Sequence, residues 1–385
     1  MTRSLSIFGA TGSIGQSTID LVRRSRGDWQ VKALSAQTNV AALAALAIEL
    51  DAEVAVIGDA TLAGDLRKAL AGSGVVAAAG ERALVEAAHH AADVTMAAIV
   101  GSAGLAPTMA AIESGRTVAL ANKESLVVAG ELMMAAARAS GATILPVDSE
   151  HNAIFQCLSA GKPDAVRKIT LTASGGPFRT ATMAEMEAAT PAQAIAHPNW
   201  SMGAKISVDS ATMFNKGLEL IEAYHLFPVG LDRLDILVHP QSVVHSMVEY
   251  IDGSTIAQLG PSDMRVPIAS ALAWPERMAT PCPPLDLAAL GRLDFAAPDE
   301  DRFPATRLCR QAIAEGGARP AQLNAANEVA VAAFLNGRIR FTAIAALVSA
   351  ALDAFAPIAP QSLHDLFTLD DECRRRAEEL VLTHA

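Results

Sequence analysis

Three carboxylates stand where they could hold a divalent metal ion together. Asp148 and Glu150 lie two residues apart at the end of an apolar run, and Glu219 follows much later in the chain. In an extended backbone, the side chains of residues two positions apart point to the same side. Hard oxygen ligands suit Mg²⁺ or Mn²⁺, so the pattern predicts a metal site. The alternative is that Asp148 and Glu150 only cap the helical pattern that follows them.

The segment around Glu219 carries further groups suited to a phosphate. Within the helical pattern 207–226, Asn215 and Glu219 are four residues apart and Lys216 and Glu219 are three apart, so all three share one face. Ser210 lies just ahead, near the expected start of the helix. A Lys–Glu pair at this spacing is ordinarily a solvent-exposed ion pair. A serine, an amide and an ammonium together indicate instead a phosphate beside a metal.

Two loops offer further polar and aromatic groups. Ser174 precedes two glycines after an expected strand. Such a loop presents a hydroxyl and bare amides to a phosphate, although the same pattern is common in plain turns. The loop 197–203 begins with His197 and holds Trp200, one of three tryptophans. We expect this loop to be a lid that excludes water from the substrate, with a core anchor as the alternative for the aromatic ring.

A glycine-rich turn near the N-terminus indicates a dinucleotide site. An apolar strand is expected at residues 4–9; Gly9, Gly12 and Gly15 follow, and a helical pattern comes next. In such a turn the first glycine permits the sharp bend, the second admits a pyrophosphate and the third lets the helix pack closely. Backbone amides at the helix N-terminus bind anions. The alternative is a tight turn without a ligand, because the spacing is a variant of the commoner motif.

The end of the second expected strand bears on the choice of dinucleotide. An enzyme that uses NAD typically places an acidic residue there to bind the ribose hydroxyls. Here the strand near Trp29 is followed by Ser-Ala-Gln-Thr-Asn at 35–39, which contains no carboxylate. A 2′-phosphate would meet no repulsion at this turn, so the sequence favours NADP over NAD.

Strand and helix patterns alternate through the first part of the chain. Strands separated by helices form a parallel sheet with right-handed crossovers, and ligands bind at the carboxyl ends of its strands. Asn122, Lys123 and Glu124 follow one such end and Asp148 follows another, although Lys123 and Glu124 could be only a surface ion pair. The further strands are expected at 53–57, 75–79, 94–100, 117–120 and 142–147.

A different pattern begins after residue 160. Strands of a second sheet are expected at 168–173, 237–249 and 254–259. Within them, His239 and His245 are interpreted as sheet or interface histidines rather than as ligands.

Prolines and alanines mark the rest of the chain. Prolines at 275, 281, 283 and 284 indicate a linker, and the alanine-rich stretch beyond 300 predicts helices whose one polar cluster is Asn324, Asn327 and Glu328. The expected fold class is α/β, with an N-terminal Rossmann-like parallel-sheet domain, a central α+β domain and a C-terminal α-helical domain. The predicted bounds are 1–149 for the first domain, 150–274 for the second, 275–299 for the linker and 300–385 for the helical domain.

Composition limits the class of protein. The 385 residues are 51% hydrophobic and 18% charged, which indicates a globular chain of two or three domains. A net charge of −11 argues against a nucleic-acid surface. No apolar run is long enough to span a membrane and no signal peptide is evident, so the expected location is the cytoplasm. The four cysteines form no Cys-x-x-Cys pair and are expected to be reduced.

In their order along the chain, these motifs resemble the 1-deoxy-D-xylulose-5-phosphate reductoisomerase family. Several ordered motifs are more specific than any one of them, and the resemblance covers essentially the whole chain. The segments that carry it are Gly-Ala-Thr-Gly-Ser-Ile-Gly at 9–15, Ala-Asn-Lys-Glu-Ser at 121–125, Pro-Val-Asp-Ser-Glu-His at 146–151, Ala-Ser-Gly-Gly-Pro-Phe at 173–178, His-Pro-Asn-Trp-Ser-Met-Gly at 197–203 and Ser-Ala-Thr-Met-Phe-Asn-Lys-Gly-Leu-Glu at 210–219.

The resemblance implies an NADPH- and metal-dependent oxidoreductase that is also an isomerase. It also implies that residues 1–149 form the NADPH-binding domain and that residues 150–274 form the catalytic and dimerisation domain. Such an enzyme rearranges and reduces 1-deoxy-D-xylulose 5-phosphate to 2-C-methyl-D-erythritol 4-phosphate, in isoprenoid precursor biosynthesis. The implied metal is Mn²⁺ or Mg²⁺, with Co²⁺ as a further candidate. The implied assembly is a cytoplasmic homodimer that binds a sugar phosphate and has neither a nucleic-acid nor a membrane partner.

The resemblance also implies roles for individual residues. The catalytic set is Lys123 with the metal ligands Asp148, Glu150 and Glu219. The sugar hydroxyls would contact Ser149 and Lys123, and the phosphate end and lid would use Ser174, His197, Ser210, Asn215, Lys216, Trp200 and Met202. The dinucleotide would contact Thr11, Gly12, Ser13, Ile14, Gln37, Asn39, Asn122, Lys123, Glu124 and Gly203.

One departure from the family pattern and two rival functions are open at this point. Many members carry Gly-Lys-Asn where this chain has Gln37, Thr38 and Asn39, so a lysine that would bind the 2′-phosphate is missing. One rival is an NADP-dependent semialdehyde-type dehydrogenase without skeletal rearrangement, which would not need three convergent carboxylates. The other is a non-catalytic dinucleotide sensor, which would need neither Lys123 nor the phosphate cluster.

Overall fold

The chain divides into two units, each with its own sheet. The computed structural model describes residues 2–90, 92–197, 200 and 203–383. The first unit comprises Met1–Ser125, Glu131–Asn152 and Asp263–Pro283, and the second comprises Leu126–Gly130, Ala153–Ser262 and Pro284–Ala385. The boundaries of the functional domains proposed from the sequence stay predictions.

A seven-stranded parallel sheet forms the centre of the first unit, which confirms the predicted Rossmann-like architecture. Most of its shorter strands are mainly apolar, as expected for a parallel sheet. They are β1 (Arg3–Phe8), β2 (Trp29–Ala36), β3 (Val54–Ile57), β4 (Val76–Ala79), β5 (Val94–Ala97), β6 (Thr117–Leu120) and β7 (Thr143–Pro146). The spatial order is β4-β3-β2-β1-β5-β6-β7. The order reverses between β1 and β5, and doubly wound sheets bind ligands at such a switch point.

Helices connect the parallel strands. Helix α6 contains a non-helical residue, Ala129, at φ −125°. The helices up to residue 158 are α1 (Ser13–Arg24), α2 (Val40–Glu49), α3 (Ala63–Ala69), α4 (Glu81–His89), α5 (Leu105–Glu113), α6 (Lys123–Ser140) and α7 (Ser149–Leu158). The start of α1 follows the glycine turn after β1, the start of α6 follows β6, and the start of α7 follows β7. The N-termini of these three helices therefore lie at the carboxyl edge of the sheet.

A four-stranded mixed sheet lies in the second unit. Its strands are β8 (Val166–Ala173), β9 (Leu234–Val238), β10 (Val244–Tyr250) and β11 (Thr255–Leu259), in the order β11-β10-β8-β9. The prediction of one strand over 237–249 is wrong, because β9 ends and β10 begins within that range. Pro240 has no amide hydrogen for a ladder, and Ser242 adopts φ +54°, so the strand is interrupted there.

Two helices replace the single helical pattern expected over 207–226. These two helices are α10 (Ala204–Thr212) and α11 (Phe214–Leu226). Two short helices, α8 (Met183–Glu187) and α9 (Pro191–Ala194), precede them. Met213 between α10 and α11 has φ +66°, a left-handed conformation that ends one helix before the next begins. The expectation that Ser210 precedes the helix is therefore wrong, since Ser210 lies inside α10.

The rest of the described chain is mainly helical, which confirms the predicted C-terminal helical region. Its helices are α12 (Arg265–Ala273), which belongs to the first unit, and α13 (Leu287–Leu290), α14 (Ala305–Glu315), α15 (Arg319–Leu335), α16 (Ala343–Asp353) and α17 (Leu363–Val381). The core of the second unit includes the fully buried rings of Phe214 and Phe334. Among the described helices, none combines the length and apolar character needed to cross a bilayer.

The glycine turn predicts a difference between two alanine substitutions. A Cβ at Gly15 would lie 2.3 Å from the backbone oxygen of Gly9, whereas a Cβ at Gly12 would lie 3.4 Å from the same atom. We expect Gly15→Ala to lower the free energy of unfolding by about 2 kcal/mol, because a rigid backbone contact must move. Gly12→Ala should change it by less than about 0.5 kcal/mol. Urea denaturation measures both, and equal stabilities would contradict the close packing.

Candidate active site

Lys123 and Asp148 form a mostly buried ion pair. The strands β6 and β7 are parallel neighbours, so the segments that leave their carboxyl ends lie side by side. The Lys123 Nζ lies 2.7 Å from Asp148 Oδ2, and the two side chains are only 11% and 12% exposed. The structure thus brings together two residues predicted for the site. The alternative that Lys123 and Glu124 form only a surface ion pair is wrong, because both side chains are largely buried.

His151 is a further member of this cluster. Its side chain is fully buried, and its Nδ1 lies 3.3 Å from Asp148 Oδ1. Burial alone would raise the pKa of the Asp148 carboxyl, but the charge of Lys123 and the contact with His151 outweigh it and hold that pKa well below its usual range. Sequence reasoning missed His151 as a site residue. The available signal was its spacing of three residues from Asp148 at the start of a helix.

Asp148 also caps the helix that follows it. The backbone amide of Glu150 donates to Asp148 Oδ1 over 3.3 Å, and the Ser149 hydroxyl donates to Glu150 Oε2 over 2.5 Å. One carboxylate oxygen of Asp148 and one of Glu150 lie within 4.8 Å of each other. Capping and metal binding are therefore compatible, since both carboxylates have an oxygen placed to reach a shared cation.

A second polar cluster, in the second unit, starts at the loop after β8. Gly175 and Gly176 have φ values of +82° and +67°, which favour glycine. The Ser174 Oγ accepts a hydrogen bond from the Gly176 amide over 3.1 Å and lies 2.9 Å from His197 Nε2. His197 Nδ1 accepts the Trp200 amide over 3.0 Å. Because Nδ1 is an acceptor, the neutral ring carries its proton on Nε2 and donates it to Ser174.

Ser210 lies directly against this loop. A Cβ at Gly176 would stand 2.7 Å from the backbone oxygen of Ser210. Only glycine therefore lets the loop approach α10 so closely. The structure in this way brings together Ser174, His197 and Ser210, all three of which the sequence placed at the phosphate end.

Glu219 is the centre of a buried cluster on α11. Asn215 Nδ2 donates to Glu219 Oε1 over 2.5 Å, and Lys216 Nζ pairs with Glu219 Oε2. Lys216 is 3% exposed and Glu219 is 1% exposed. The three residues share one helix face, as predicted. The alternative of a solvent-exposed Lys–Glu pair is wrong.

The glycine turn and the end of β2 lie next to each other. The amides of Ala10 and Gly9 donate to the backbone oxygen and hydroxyl of Ser35 over 2.7 and 3.0 Å. No acidic residue occupies the first turn of α1. An anion that binds the backbone amides there would therefore not be repelled by a neighbouring carboxylate of that turn. The residues assigned from the sequence to the dinucleotide at this edge are Thr11, Gly12, Ser13, Ile14, Gln37 and Asn39.

Several of the predicted dinucleotide residues also have structural roles. Asn39 accepts the Ala42 amide over 3.1 Å and so caps α2. Asn122 is buried, caps α6 and donates to the Gly101 carbonyl over 2.9 Å. Glu124 is buried in the first turn of α6, and Gly203 is the residue before α10. These positions are compatible with cofactor contacts, which stay predictions.

The predicted lid is described only in part. The Trp200 ring is half-buried, and its centroid lies 6.4 Å from that of His245. Met202, which was also assigned to the lid, lies outside the described residues. Whether Trp200 covers the substrate therefore stays a prediction.

Family models match most of the chain. The model described as 1-deoxy-D-xylulose 5-phosphate reductoisomerase matches residues 5–130. The model of the 1-deoxy-D-xylulose 5-phosphate reductoisomerase C-terminal domain matches residues 144–227. A further model, described as the DXP reductoisomerase C-terminal domain, matches residues 259–376.

Curated relatives align with the chain almost from end to end. The 1-deoxy-D-xylulose 5-phosphate reductoisomerase of Zymomonas mobilis subsp. mobilis is 60% identical over 379 residues, which cover 98% of this chain and 98% of the relative. The protein of the same name from Rhodospirillum centenum is 57% identical over 379 residues, which cover 98% of this chain and 94% of the relative.

Solved structures give the same relationship. The Zymomonas mobilis enzyme in complex with NADPH superposes with a TM-score of 0.95 at 57% identity and covers 99% of both chains. A DOX-P reductoisomerase in complex with NADPH, fosmidomycin and magnesium superposes with a TM-score of 0.93 at 44% identity and covers 98% of both chains.

The Lys123–Asp148 pair predicts a pH-dependent stability. Lys123→Met leaves a buried carboxylate without its cation, which should cost about 3 kcal/mol of unfolding free energy at pH 7. The pKa of Asp148 is lowered by folding, so the stabilisation is complete above the ordinary carboxyl pKa of about 3.9 and is lost as the pH falls through the folded value. The difference between wild type and variant should therefore shrink in acid.

Urea denaturation from neutral pH into the acid range measures this difference. Lys32→Met is a matched control, because Lys32 pairs with Glu53 over 2.6 Å at a more exposed position. Its loss should cost at most about 1 kcal/mol. A Lys123→Met variant as stable as this control at neutral pH would show that the ammonium does not stabilise Asp148.

Proposed function

Because the chain belongs to the 1-deoxy-D-xylulose 5-phosphate reductoisomerase family, we propose that it converts 1-deoxy-D-xylulose 5-phosphate to 2-C-methyl-D-erythritol 4-phosphate. It is an NADPH-dependent oxidoreductase that requires a divalent metal ion, and its product leads to isoprenoid precursors. The observation that carries this function is a pair of buried carboxylates, each held by a lysine: Asp148 by Lys123 and Glu219 by Lys216.

Asp148, Glu150 and Glu219 would hold the metal ion. Carboxylate oxygens are the hard ligands that Mg²⁺ and Mn²⁺ prefer. The fit rests on the oxygens of Asp148 and Glu150, which lie within 4.8 Å of each other, and on the low pKa that keeps Asp148 ionised. Glu219 completes the set as a buried carboxylate. Its contacts with Asn215 and Lys216 orient it and offset its charge.

The protein's own residues orient the substrate for the reaction. When bound, the ion supplies Lewis-acid polarisation of the sugar carbonyl and NADPH supplies the hydride. Lys123 offsets the charge of Asp148 and contacts the sugar hydroxyls, together with Ser149. Trp200 covers the substrate in the lid and excludes water from it.

A phosphate group is recognised by the second polar cluster. The Ser174 hydroxyl, oriented by His197 Nε2, and the amides of the glycines after it face a phosphate oxygen. Ser210, held against the same loop, adds a second hydroxyl. Asn215 and Lys216 supply an amide and an ammonium from α11. A doubly charged phosphate thus meets neutral donors and one cation in a chain whose net charge is −11.

The dinucleotide binds at the carboxyl edge of the first sheet. The glycine turn before α1 admits the pyrophosphate, and its close packing supports this placement, since a Cβ at Gly15 would collide with Gly9. Gln37 and Asn39 at the end of β2 face the ribose phosphate. The turn contains no carboxylate, which favours NADPH.

The two rival functions leave the buried clusters unexplained. A semialdehyde-type dehydrogenase needs hydride transfer but no set of three carboxylates. A dinucleotide sensor needs neither Lys123 nor the serines, Asn215 and Lys216 of the phosphate cluster. Burying Glu219 and Lys216 together costs desolvation energy, and metal and phosphate binding explain why the chain retains the pair.

One assay separates the three functions. We expect NADPH oxidation that requires 1-deoxy-D-xylulose 5-phosphate and Mn²⁺ or Mg²⁺, and that stops when EDTA is added. Oxidation that continues in EDTA would favour the semialdehyde-type dehydrogenase. NADPH binding without substrate-dependent oxidation would favour the sensor.

A homodimer in the cytoplasm is the assembly that fits this chain best. Among the described residues, β11 pairs with β10 alone and forms an edge of the second sheet. Ile256 on this strand is 38% exposed and Ile251 before it is 70% exposed. A second copy of the chain would cover such an edge. Analytical ultracentrifugation tests the proposal, which predicts twice the chain mass of 39.9 kDa.

Glu219→Gln tests the third metal ligand. The variant keeps the size of the side chain but removes its charge, so metal-dependent kcat/KM should fall about 1,000-fold at limiting Mn²⁺. Initial rates across a Mn²⁺ titration measure this loss. Glu328→Gln is the control, because Glu328 is a paired carboxylate of the same unit, 2.6 Å from Arg374, and has no assigned role in the site. Wild-type rates for Glu219→Gln at limiting Mn²⁺ would remove Glu219 from the ligand set.

The turn after β2 predicts the cofactor preference. We expect kcat/KM to be at least about tenfold higher with NADPH than with NADH, because no carboxylate opposes the 2′-phosphate. Gln37→Asp should reduce or reverse that ratio, and Gln37→Asn should leave it unchanged because it is neutral. Steady-state rates with both cofactors measure the ratio. Comparable efficiencies in the wild type would refute the assignment.

A further inference from the structure

Helix α15 carries a buried polar contact that the proposed reaction does not use. Asn327 is fully buried, and its Nδ2 donates to Asp209 Oδ1 over 2.8 Å. Asp209 is itself only 1% exposed. It precedes Ser210 in α10. The bond thus joins the C-terminal helical region to the helix that carries a phosphate-binding hydroxyl, within one and the same unit.

Helix stability does not explain Asp209. The residue lies in the last turn of α10, which ends at Thr212, and a negative charge near a helix C-terminus opposes the helix dipole. Burial of the carboxylate adds a desolvation cost unless partners satisfy it. Two partners do so: Asn327 contacts one oxygen, and Lys205 Nζ lies 2.7 Å from the other. The Asp209 carboxylate thus lies where it does not stabilise the helix, and each of its oxygens has a partner. This arrangement indicates that Asp209 fixes the position of α10.

Helix α10 has a contact on each of two sides. On one side, Asp209 is held by α15. On the other, the backbone oxygen of Ser210 lies where a Cβ of Gly176 would come within 2.7 Å. Helix α10 is thus fixed between α15 and the Ser174 loop. Any rotation of α10 moves Ser210, and it also moves Met213, whose left-handed turn sets the start of α11 and so the place of Asn215.

We propose that Asn327 is a positioning residue for the phosphate end of the substrate. Its hydrogen bond to Asp209 sets the rotation of α10, and with it the distance between the Ser210 hydroxyl and the Ser174 loop. The inference rests on the proposed function, which assigns Ser174, Ser210, Asn215 and Lys216 to the phosphate. A hydrogen bond to a charged group is strong enough for this task.

Asn324 provides a matched comparison within the same helix. It lies one turn before Asn327 and is 1% exposed, and its Nδ2 donates to Glu328 Oε1 over 3.0 Å. Glu328 in turn lies 2.6 Å from Arg374 of α17. Both asparagines are therefore buried amides bound to a carboxylate, but the contact of Asn324 continues toward α17 rather than toward α10.

Substrate kinetics test the positioning role. For Asn327→Ala we expect KM for 1-deoxy-D-xylulose 5-phosphate to rise about tenfold, because a charged hydrogen bond that orients α10 is lost. The inhibition constant of inorganic phosphate should rise in parallel, while KM for NADPH changes less than about twofold. Asn324→Ala should lose a similar amount of thermal stability and keep KM for the sugar phosphate within about twofold of wild type. Equal KM values for the two variants would overturn the proposal.

An isosteric exchange distinguishes positioning from simple loss of packing. Asn327→Asp keeps the volume but places a carboxylate against Asp209, so KM for the sugar phosphate should rise at least as much as in Asn327→Ala. Adding Asp209→Asn restores an amide–carboxylate pair with the roles exchanged, and KM should return to within about threefold of wild type. A double variant whose KM for the sugar phosphate is as high as that of Asn327→Asp would overturn the proposal. This comparison decides the question even if Asn327→Ala does not fold. A wild-type chain without substrate-dependent NADPH oxidation would refute the proposed function, whereas an active wild type with unchanged Asn327 variants would refute the positioning role alone.

Discussion

The ionised state of Asp148, a proposed metal ligand, depends on the ammonium group of Lys123 beside it. A buried carboxyl tends to take up a proton, because burial disfavours the charged form. Lys123 reverses this tendency for Asp148, whose pKa lies well below its usual range. Lys216 forms a second buried ion pair, with Glu219 on α11. Without Lys123, a protonated Asp148 would be a poor ligand for a hard cation, and the proposed Lewis-acid activation of the substrate would be weakened.

The positions of these ion pairs are determined by backbone geometry more than by the helix or strand propensities of the residues. In the first unit, the parallel register of β6 and β7 delivers Lys123 and Asp148 to the same edge. In the second unit, Met213 at φ +66° separates α10 from α11. Gly176 leaves room for Ser210 because any Cβ there would be too close. Backbone conformations that are unfavourable for most residues are tolerated where a site needs them.

Much of this arrangement was predictable from the sequence, because local patterns encode it. The glycine spacing, the alternation of apolar strands with helices and the shared face of Asn215, Lys216 and Glu219 are all short-range signals. The interruption at Pro240 and Ser242 was missed, because the apolar residues on either side read as one strand. The left-handed Met213 was also missed, since methionine gives no sign of a helix break. Asn327 and Asp209 are 118 positions apart, and their contact depends on tertiary packing that no local pattern contains.

Diffraction from crystals of the full chain grown with Mn²⁺, NADPH and substrate tests the central claim most directly. Data collected at the manganese absorption edge would locate the ion without reference to the protein atoms. The account predicts one anomalous peak, coordinated by an oxygen from each of Asp148, Glu150 and Glu219. A peak bound by Asp148 and Glu150 alone, with both oxygens of Glu219 still on Asn215 and Lys216, would contradict it.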